Sequence, residues 1–129
     1  EISSLRWISS LTGLTSLTAG GNEISDYSPV SSLASLQNLS LNYAGIEDLD
    51  FIKPLIGLRS VSLKNNAFTS VSALTGLSGL ETVDVSGNSG ITDLGSLKNC
   101  ASLNILTCSN ISYEQGQELL ASNITVVKN

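Results

Sequence analysis

The sequence predicts an α/β solenoid, a right-handed coil in which each turn adds one short parallel strand to a concave sheet. Three observations support this prediction: leucines recur at a step of 22 residues, a short apolar–polar alternation opens each unit, and apolar residues at every third position fill the rest. The chain has 129 residues, which is the length of one domain. We therefore expect the whole chain to form a single solenoid.

The 22-residue step holds at more than one position of the unit. The first position is a leucine in four units: Leu14, Leu36, Leu58 and Leu80. Leu103 continues this series after a step of 23, and the extra residue falls close to Gly90. No single turn of the coil can bury its own apolar side, so the core must form by stacking neighbouring turns.

Each unit divides into a strand and a return segment. Residues 39–41 read Leu-Ser-Leu, an alternation of period two that fits a strand with one face inward. The return segment has Ile46, Leu49 and Ile52 at every third position. A period of three favours a 3₁₀ or extended segment over an α-helix, and we place it on the convex side.

Three asparagines occupy the turn after the strand: Asn22, Asn66 and Asn88. Their amide groups can hydrogen-bond the backbone of neighbouring turns, so we interpret them as a structural ladder and not as a binding site. Ala44 stands at the same position in another unit. The sequence therefore predicts a local gap in the ladder.

The carboxyl-terminal end departs from the repeat. Residues 113–122 read as a short helix with Ser112 as its N-cap, and residues 124–129 read as a final strand. We divide the chain into a partial repeat (1–10), four full repeats (11–32, 33–54, 55–76 and 77–99), a degenerate last repeat (100–112) and a C-terminal cap (113–129).

The chain begins in the middle of a repeat, because Ile2 and Leu5 match Ile24 and Tyr27 at the 22-residue step. The first strand should then have a free edge and an exposed apolar end. We expect further repeats or a cap upstream in the parent protein, and a monomer in solution. Self-association through this open end is the alternative.

The stretches LTGLTSLTAGGNEISDYSPVSSLASLQNLSL and LKNNAFTSVSALTGLSGLETVDVSGNSGITDL closely resemble the leucine-rich repeats of bacterial internalin-type surface proteins. The resemblance covers about residues 1–109. It implies an exported adhesin or receptor-binding protein that recognises its partner with the concave strand face. Cytoplasmic repeat proteins that regulate phosphatases share the same repeat length, so an intracellular docking role stays open.

The composition argues against several function classes. The net charge is −5 with only six Lys and Arg residues, so we expect no binding to nucleic acid, and no apolar run is long enough for membrane insertion. The chain has no histidine and no nucleophile–base pair at a diagnostic spacing, so we expect no enzyme, no metal site and no cofactor. Cys100 and Cys108 occupy core positions of the unit, and we predict buried, free thiols.

The concave face offers the candidate binding residues. Most of its positions are Ser, Thr or Gly, and interface hot spots favour Trp, Tyr and Arg. Six residues stand out as larger or charged: Asn38, Asn42, Tyr43, Lys64, Asn65 and Asp84. On the convex side, Trp7 and Phe51 fall at equivalent positions, and we expect them to pack against local structure.

The leading hypothesis is a non-enzymatic protein-recognition module of a secreted or cell-surface bacterial protein. Its partner would be a protein, with a host or cell-surface protein as one candidate. Two alternatives stay open: a rigid structural spacer without its own ligand, and an intracellular regulatory repeat, in the cytoplasm, that docks on an enzyme.

Overall fold

A computed structural model describes residues 2–129, which form one parallel sheet with short connections. The six strands pair in sequence order. They are β1 (Ser16–Thr18), β2 (Asn38–Ser40), β3 (Ser60–Ser62), β4 (Thr82–Asp84), β5 (Ile105–Cys108) and β6 (Thr125–Lys128). Each turn of the solenoid, hereafter a coil, contributes one strand. The predicted α/β solenoid is therefore confirmed.

The return segments are 3₁₀ turns, as their period of three predicts. They span Arg6–Ser10, Ser28–Ser32, Asp50–Ile52, Ser72–Leu74 and Gly95–Asn99. Each turn buries at least one apolar side chain against the sheet, such as Ile8 or Ile52. A 3₁₀ turn suits this place because it returns the chain in few residues.

The strand register follows the repeat step. Leu39 pairs with Val61 and Val61 pairs with Val83, each 22 residues apart. Val83 then pairs with Leu106, so the longer step of 23 leaves the register intact. The extra residue is accommodated in the turn region after β4, outside the sheet.

The core is a continuous stack of leucines and their substitutes. Leu36, Leu58 and Leu80 are each 0% exposed and lie in successive coils. Burying such a side chain contributes about 1.5–3 kcal/mol, and each coil obtains this only by covering its neighbour. Cys100 and Cys108 are buried in the same core as free thiols, as expected.

The asparagine ladder is present. The Nδ2 atom of Asn66 donates to the carbonyl oxygens of Leu41 at 2.9 Å and Leu63 at 3.0 Å, so its amide bridges two coils. Asn88 repeats this pattern one coil later. At Ala44 the ladder is interrupted, as predicted. There the hydroxyl of Tyr27 donates to the Ala44 carbonyl at 2.9 Å.

The carboxyl-terminal end is closed by a helix, α1 (Tyr113–Ala121), and by β6. Ser112 is the N-cap, and its Oγ accepts a hydrogen bond from the N–H of Gln115 at 3.2 Å. The Gln115 side chain accepts from the N–H of Leu94 and donates to the carbonyl of Thr92. The predicted cap helix and closing strand are confirmed, and Gln115 fixes the helix to the preceding coil.

The apolar side chains of the first described coil are less covered than those of the next coil. Leu11 is 43% exposed, whereas Leu33 at the same position of the next coil is fully buried. Leu14 and Leu17 are only partly buried. The outer edge of β1 carries backbone groups that pair with no described strand.

Candidate protein-interaction surface

The six predicted binding residues lie on or just after three adjacent strands. Asn38 opens β2, while Asn42 and Tyr43 follow it; Lys64 and Asn65 follow β3, and Asp84 ends β4. All are exposed or half-buried. Asn38 is four residues from Asn42, about 13 Å along an extended strand, so it lies apart from the other five. We name those five, Asn42, Tyr43, Lys64, Asn65 and Asp84, the concave patch.

Three members of the concave patch belong to a polar network. The Oδ1 atom of Asn42 accepts hydrogen bonds from Ser62 Oγ at 2.9 Å and from the backbone N–H of Lys64 at 2.8 Å. The Lys64 ammonium lies 3.5 Å from the Asp84 carboxylate. Asp84 Oδ1 accepts from Ser86 Oγ at 2.7 Å. These contacts hold the three polar side chains in place.

Tyr43 and Asn65 differ from the network residues in both backbone and side chain. Their φ angles are 53° and 55°, in the left-handed region. Gly21 and Gly87 occupy the same position of neighbouring coils, with φ of 72° and 76°. Glycine adopts this conformation freely, whereas a tyrosine there costs about 1–2 kcal/mol. The chain therefore maintains an unfavourable backbone conformation at Tyr43.

The side chains of Tyr43 and Asn65 are available to a partner. Tyr43 is 68% exposed, and neither side chain hydrogen-bonds another residue between 2 and 129. The Asn65 amide lies against the bare backbone of Gly87, where an added Cβ would come within 2.1 Å of Asn65 Oδ1. Gly87 thus makes room for the amide, and the two strand-end residues present an aromatic ring beside a free carboxamide.

The charges of the concave patch balance each other. Lys64 and Asp84 form the ion pair, with their side chains 39% and 21% exposed. A partly exposed pair of this kind contributes at most about 1 kcal/mol to stability. The patch therefore offers hydrogen bonds and aromatic contact area, with no net charge.

Ser62 and Ser86, which connect the patch, occupy predicted concave positions but do not stand out in the sequence as candidate binding residues. The parallel register pairs Ser62 with Ser40, and the Ser62 hydroxyl donates to Asn42 Oδ1; Ser86 is 5% exposed and donates to Asp84 Oδ1. The 22-residue step aligns Ser62 with Ser40 and with Asp84. The serine hydroxyls in that row could have indicated that longer polar side chains beside them would be held by hydrogen bonds.

The two convex aromatics behave differently. Phe51 stacks on Tyr27 with ring centroids 5.5 Å apart and an interplanar angle of 25°. Trp7 is 58% exposed, and its indole N–H donates to the Ser4 carbonyl at 3.0 Å. Both contact local structure, as expected.

Metal ligation and membrane spanning can be assessed from the geometry of residues 2–129. No group of three His, Cys, Asp or Glu side chains in that range is arranged to hold a metal ion. Within the same range no helix has the length and apolar character needed to cross a membrane.

Comparison with known proteins agrees with this geometry. A family model described as leucine-rich repeats in two copies matches residues 56–99, about a third of the chain. Internalin F of Listeria monocytogenes superposes with a TM-score of 0.73 at 19% identity, over 100% of this chain and 45% of that one. Internalin C2 of the same species gives 0.73 at 23% identity, over 98% and 66%. The chain has an internalin-type leucine-rich-repeat fold.

A more distant leucine-rich-repeat likeness comes from the Toll–Spätzle complex of Drosophila, with a TM-score of 0.64 at 16% identity over 79% of this chain and 15% of that one. No curated protein sequence matches the chain significantly. The chain spans less than two thirds of the length of either internalin. At these identities the likeness establishes the leucine-rich-repeat fold, which is typical of protein-interaction modules.

Proposed function

We propose that this solenoid is a non-enzymatic protein-recognition module of a secreted or cell-surface bacterial protein, and that it binds a protein partner through the concave patch. Tyr43 carries the proposal. It is an exposed aromatic residue held at a φ of 53° at a position where the preceding coil has Gly21. Unfavourable backbone conformations persist where a function depends on the residue, and exposed tyrosines are frequent interface hot spots.

The polar network supports the proposal by fixing the surroundings of Tyr43. Asn42, which precedes it, is anchored by Ser62 and by the backbone of Lys64. Asn65 lies at the same position one coil further on. A partner that packs on the ring meets polar groups that are already ordered, so it loses less conformational entropy on binding.

The charge balance narrows the class of partner. With Lys64 paired to Asp84, the patch has no excess charge to attract nucleic acid or an anionic lipid surface. Tyrosine and asparagine instead suit a protein surface with mixed apolar and hydrogen-bonding groups. We therefore propose a neutral or weakly charged protein epitope.

The test begins with capture of partners from host-cell and bacterial surface extracts, followed by identification and purification of a protein that binds saturably. Its affinity is then measured by biolayer interferometry for the wild type, Tyr43→Ala and Lys64→Glu. We expect at least about a tenfold loss with Tyr43→Ala, because hot-spot truncations cost about 2 kcal/mol or more. Lys64→Glu places a second acid beside Asp84 and should also weaken binding.

Tyr113→Ala is the matched control. Tyr113 is 80% exposed on α1, outside the concave sheet, and its removal should leave affinity unchanged. If the purified partner binds both patch variants as tightly as the wild type, the concave patch is rejected. If neither extract contains a saturable partner, the spacer role is favoured. A partner that is a cytoplasmic enzyme would favour the regulatory role.

A further inference from the structure

At the interruption of the asparagine ladder, two backbone donors have no acceptor among residues 2–129. In the next coil, Asn66 Oδ1 accepts from the N–H groups of Ala44 at 3.0 Å and Ile46 at 3.1 Å. The equivalent donors one coil earlier are the N–H groups of Asn22 and Ile24. The residue that would serve them is Ala44, whose methyl group accepts nothing. Neither N–H is hydrogen-bonded to a described residue.

A cleft opens at this place. It has a volume of about 360 Å³ and is lined by residues 22–25 and 43–45. Tyr43, Ala44 and Ile24 are among its lining residues, and its surface is more apolar than polar; Asn22 and Ile24, which carry the two donors, belong to the same lining. The size lies in the range of small-ligand sites, and a few fixed polar groups within apolar walls are typical of them.

We propose that this cleft binds the amide carbonyl of a partner molecule, which supplies the oxygen that asparagine supplies in the other coils. The geometry of the intact ladder supports this chemistry, because there an amide oxygen accepts from two N–H groups at once. Tyr43 flanks the amide with an aromatic surface.

A neutral amide fits better than a carboxylate. Glu23 lines the cleft, and the chain has a net charge of −5, so an anion would be repelled. An amide oxygen is an acceptor without a charge, and it loses less solvation on entering a partly apolar cleft. The amide can come from an Asn or Gln side chain or from a peptide main chain.

This inference goes beyond the proposed protein-binding function and does not depend on an identified partner. Tyr43 belongs to both surfaces, but the readouts separate them. If the cleft binds no amide, the concave patch can still bind a protein partner. If the concave patch binds no partner, the cleft can still bind a small amide.

The experiment is an NMR titration of the ¹⁵N-labelled chain with acetamide, which represents an Asn or Gln side chain, and with N-methylacetamide, which represents the main chain. We expect saturable shifts in the millimolar range at the N–H resonances of Asn22 and Ile24. The probe with the tighter binding identifies the source of the amide. Acetate should bind more weakly than both.

Ala44→Asn is the matched variant, because it restores the ladder residue. Its amide should occupy the cleft, abolish the response to either probe, and slow hydrogen exchange at Asn22 and Ile24 by about tenfold through the new hydrogen bonds. The wild-type titration decides the question even if this variant folds poorly. The absence of saturable shifts at both N–H groups, or tighter binding of acetate, would overturn the proposal.

Discussion

Asn66 and Asn88 join neighbouring coils directly, since Asn88 Oδ1 accepts a hydrogen bond from the backbone N–H of Asn66 at 3.0 Å. Asn66 therefore stabilises its own coil, and it is itself held by Asn88 of the following coil. Side-chain amides thus extend the cooperativity of the solenoid beyond apolar stacking.

Replacing the central member of the ladder should be costly. Asn66→Ala removes the acceptor of Ala44 and Ile46 and the donor to Leu41 and Leu63. We expect the free energy of unfolding to fall by about 2–4 kcal/mol, because buried backbone groups lose their partners. Urea denaturation followed by circular dichroism measures this.

The control for the ladder is Asn22→Ala in the first described coil. Among residues 2–129 the Asn22 side chain bonds to the backbone of Ile2, Ala19 and Gly20, so it makes fewer hydrogen bonds to a neighbouring coil than Asn66. Its loss should cost about 1 kcal/mol. Equal costs for both variants would contradict a ladder role in which the cost grows with the number of hydrogen bonds to the neighbouring coil.

The leucine stack should show the same dependence on position. Leu58→Ala opens a cavity at a fully buried position and should cost about 2–5 kcal/mol. Leu14→Ala removes the equivalent side chain where it is only partly buried, so its cost should be clearly smaller. Urea midpoints of the two variants test this, and a larger cost at Leu14 would argue against burial by neighbouring coils.

Tyr43→Gly should separate stability from binding. Glycine adopts the φ of 53° without the steric cost of tyrosine, although it loses more entropy on folding. We expect the free energy of unfolding to stay unchanged or rise by up to about 1 kcal/mol, while affinity for a purified partner falls. Thermal denaturation measures the first effect, and a marked destabilisation would show that the ring serves the fold.

Alkaline pH should weaken the fold through Cys100. Burial raises the pKa of its thiol from 9.0 to about 11, so the folded chain keeps the proton while the unfolded chain releases it. Stability is therefore fully present below pH 9.0 and declines as the pH rises toward about 11. The loss from this group is about 2 kcal/mol.

Cys100→Val isolates that effect. Burial also raises the pKa of Cys108 and Tyr27, so the variant should retain part of the decline and lose the share of Cys100. Urea unfolding between pH 8 and pH 11 compares the two proteins. Identical pH dependence would contradict a protonated, buried Cys100.

The sequence was sufficient to predict the coils, because periodicity reports directly on burial. The step that relates Leu36 to Leu58 is also the register of the sheet, and the break after Ser112 correctly indicated the cap helix. Both features follow from residue spacing and from capping chemistry, which can be read directly from one sequence.

The side-chain arrangement of the surface was less accessible. Tyr43 and Lys64 were predicted to face the concave side, but the pairing of Asn42 with Ser62 depends on rotamers chosen among several polar neighbours. The left-handed φ of Tyr43 was also missed, because glycine at the equivalent position in two other coils was the only signal. Contacts between flexible polar groups depend on three-dimensional packing that periodicity does not encode.

The strictly sequential pairing of β1 through β6 also determines how this molecule comes apart. No strand bridges distant parts of the chain, so damage in one coil spreads only to the coils beside it. On the carboxyl-terminal side, Gln115 ties α1 to the preceding coil through the Leu94 N–H and the Thr92 carbonyl. We expect a local opening to stay confined to the coils next to it, so that loosening around Tyr43 leaves the β4–β5 region folded.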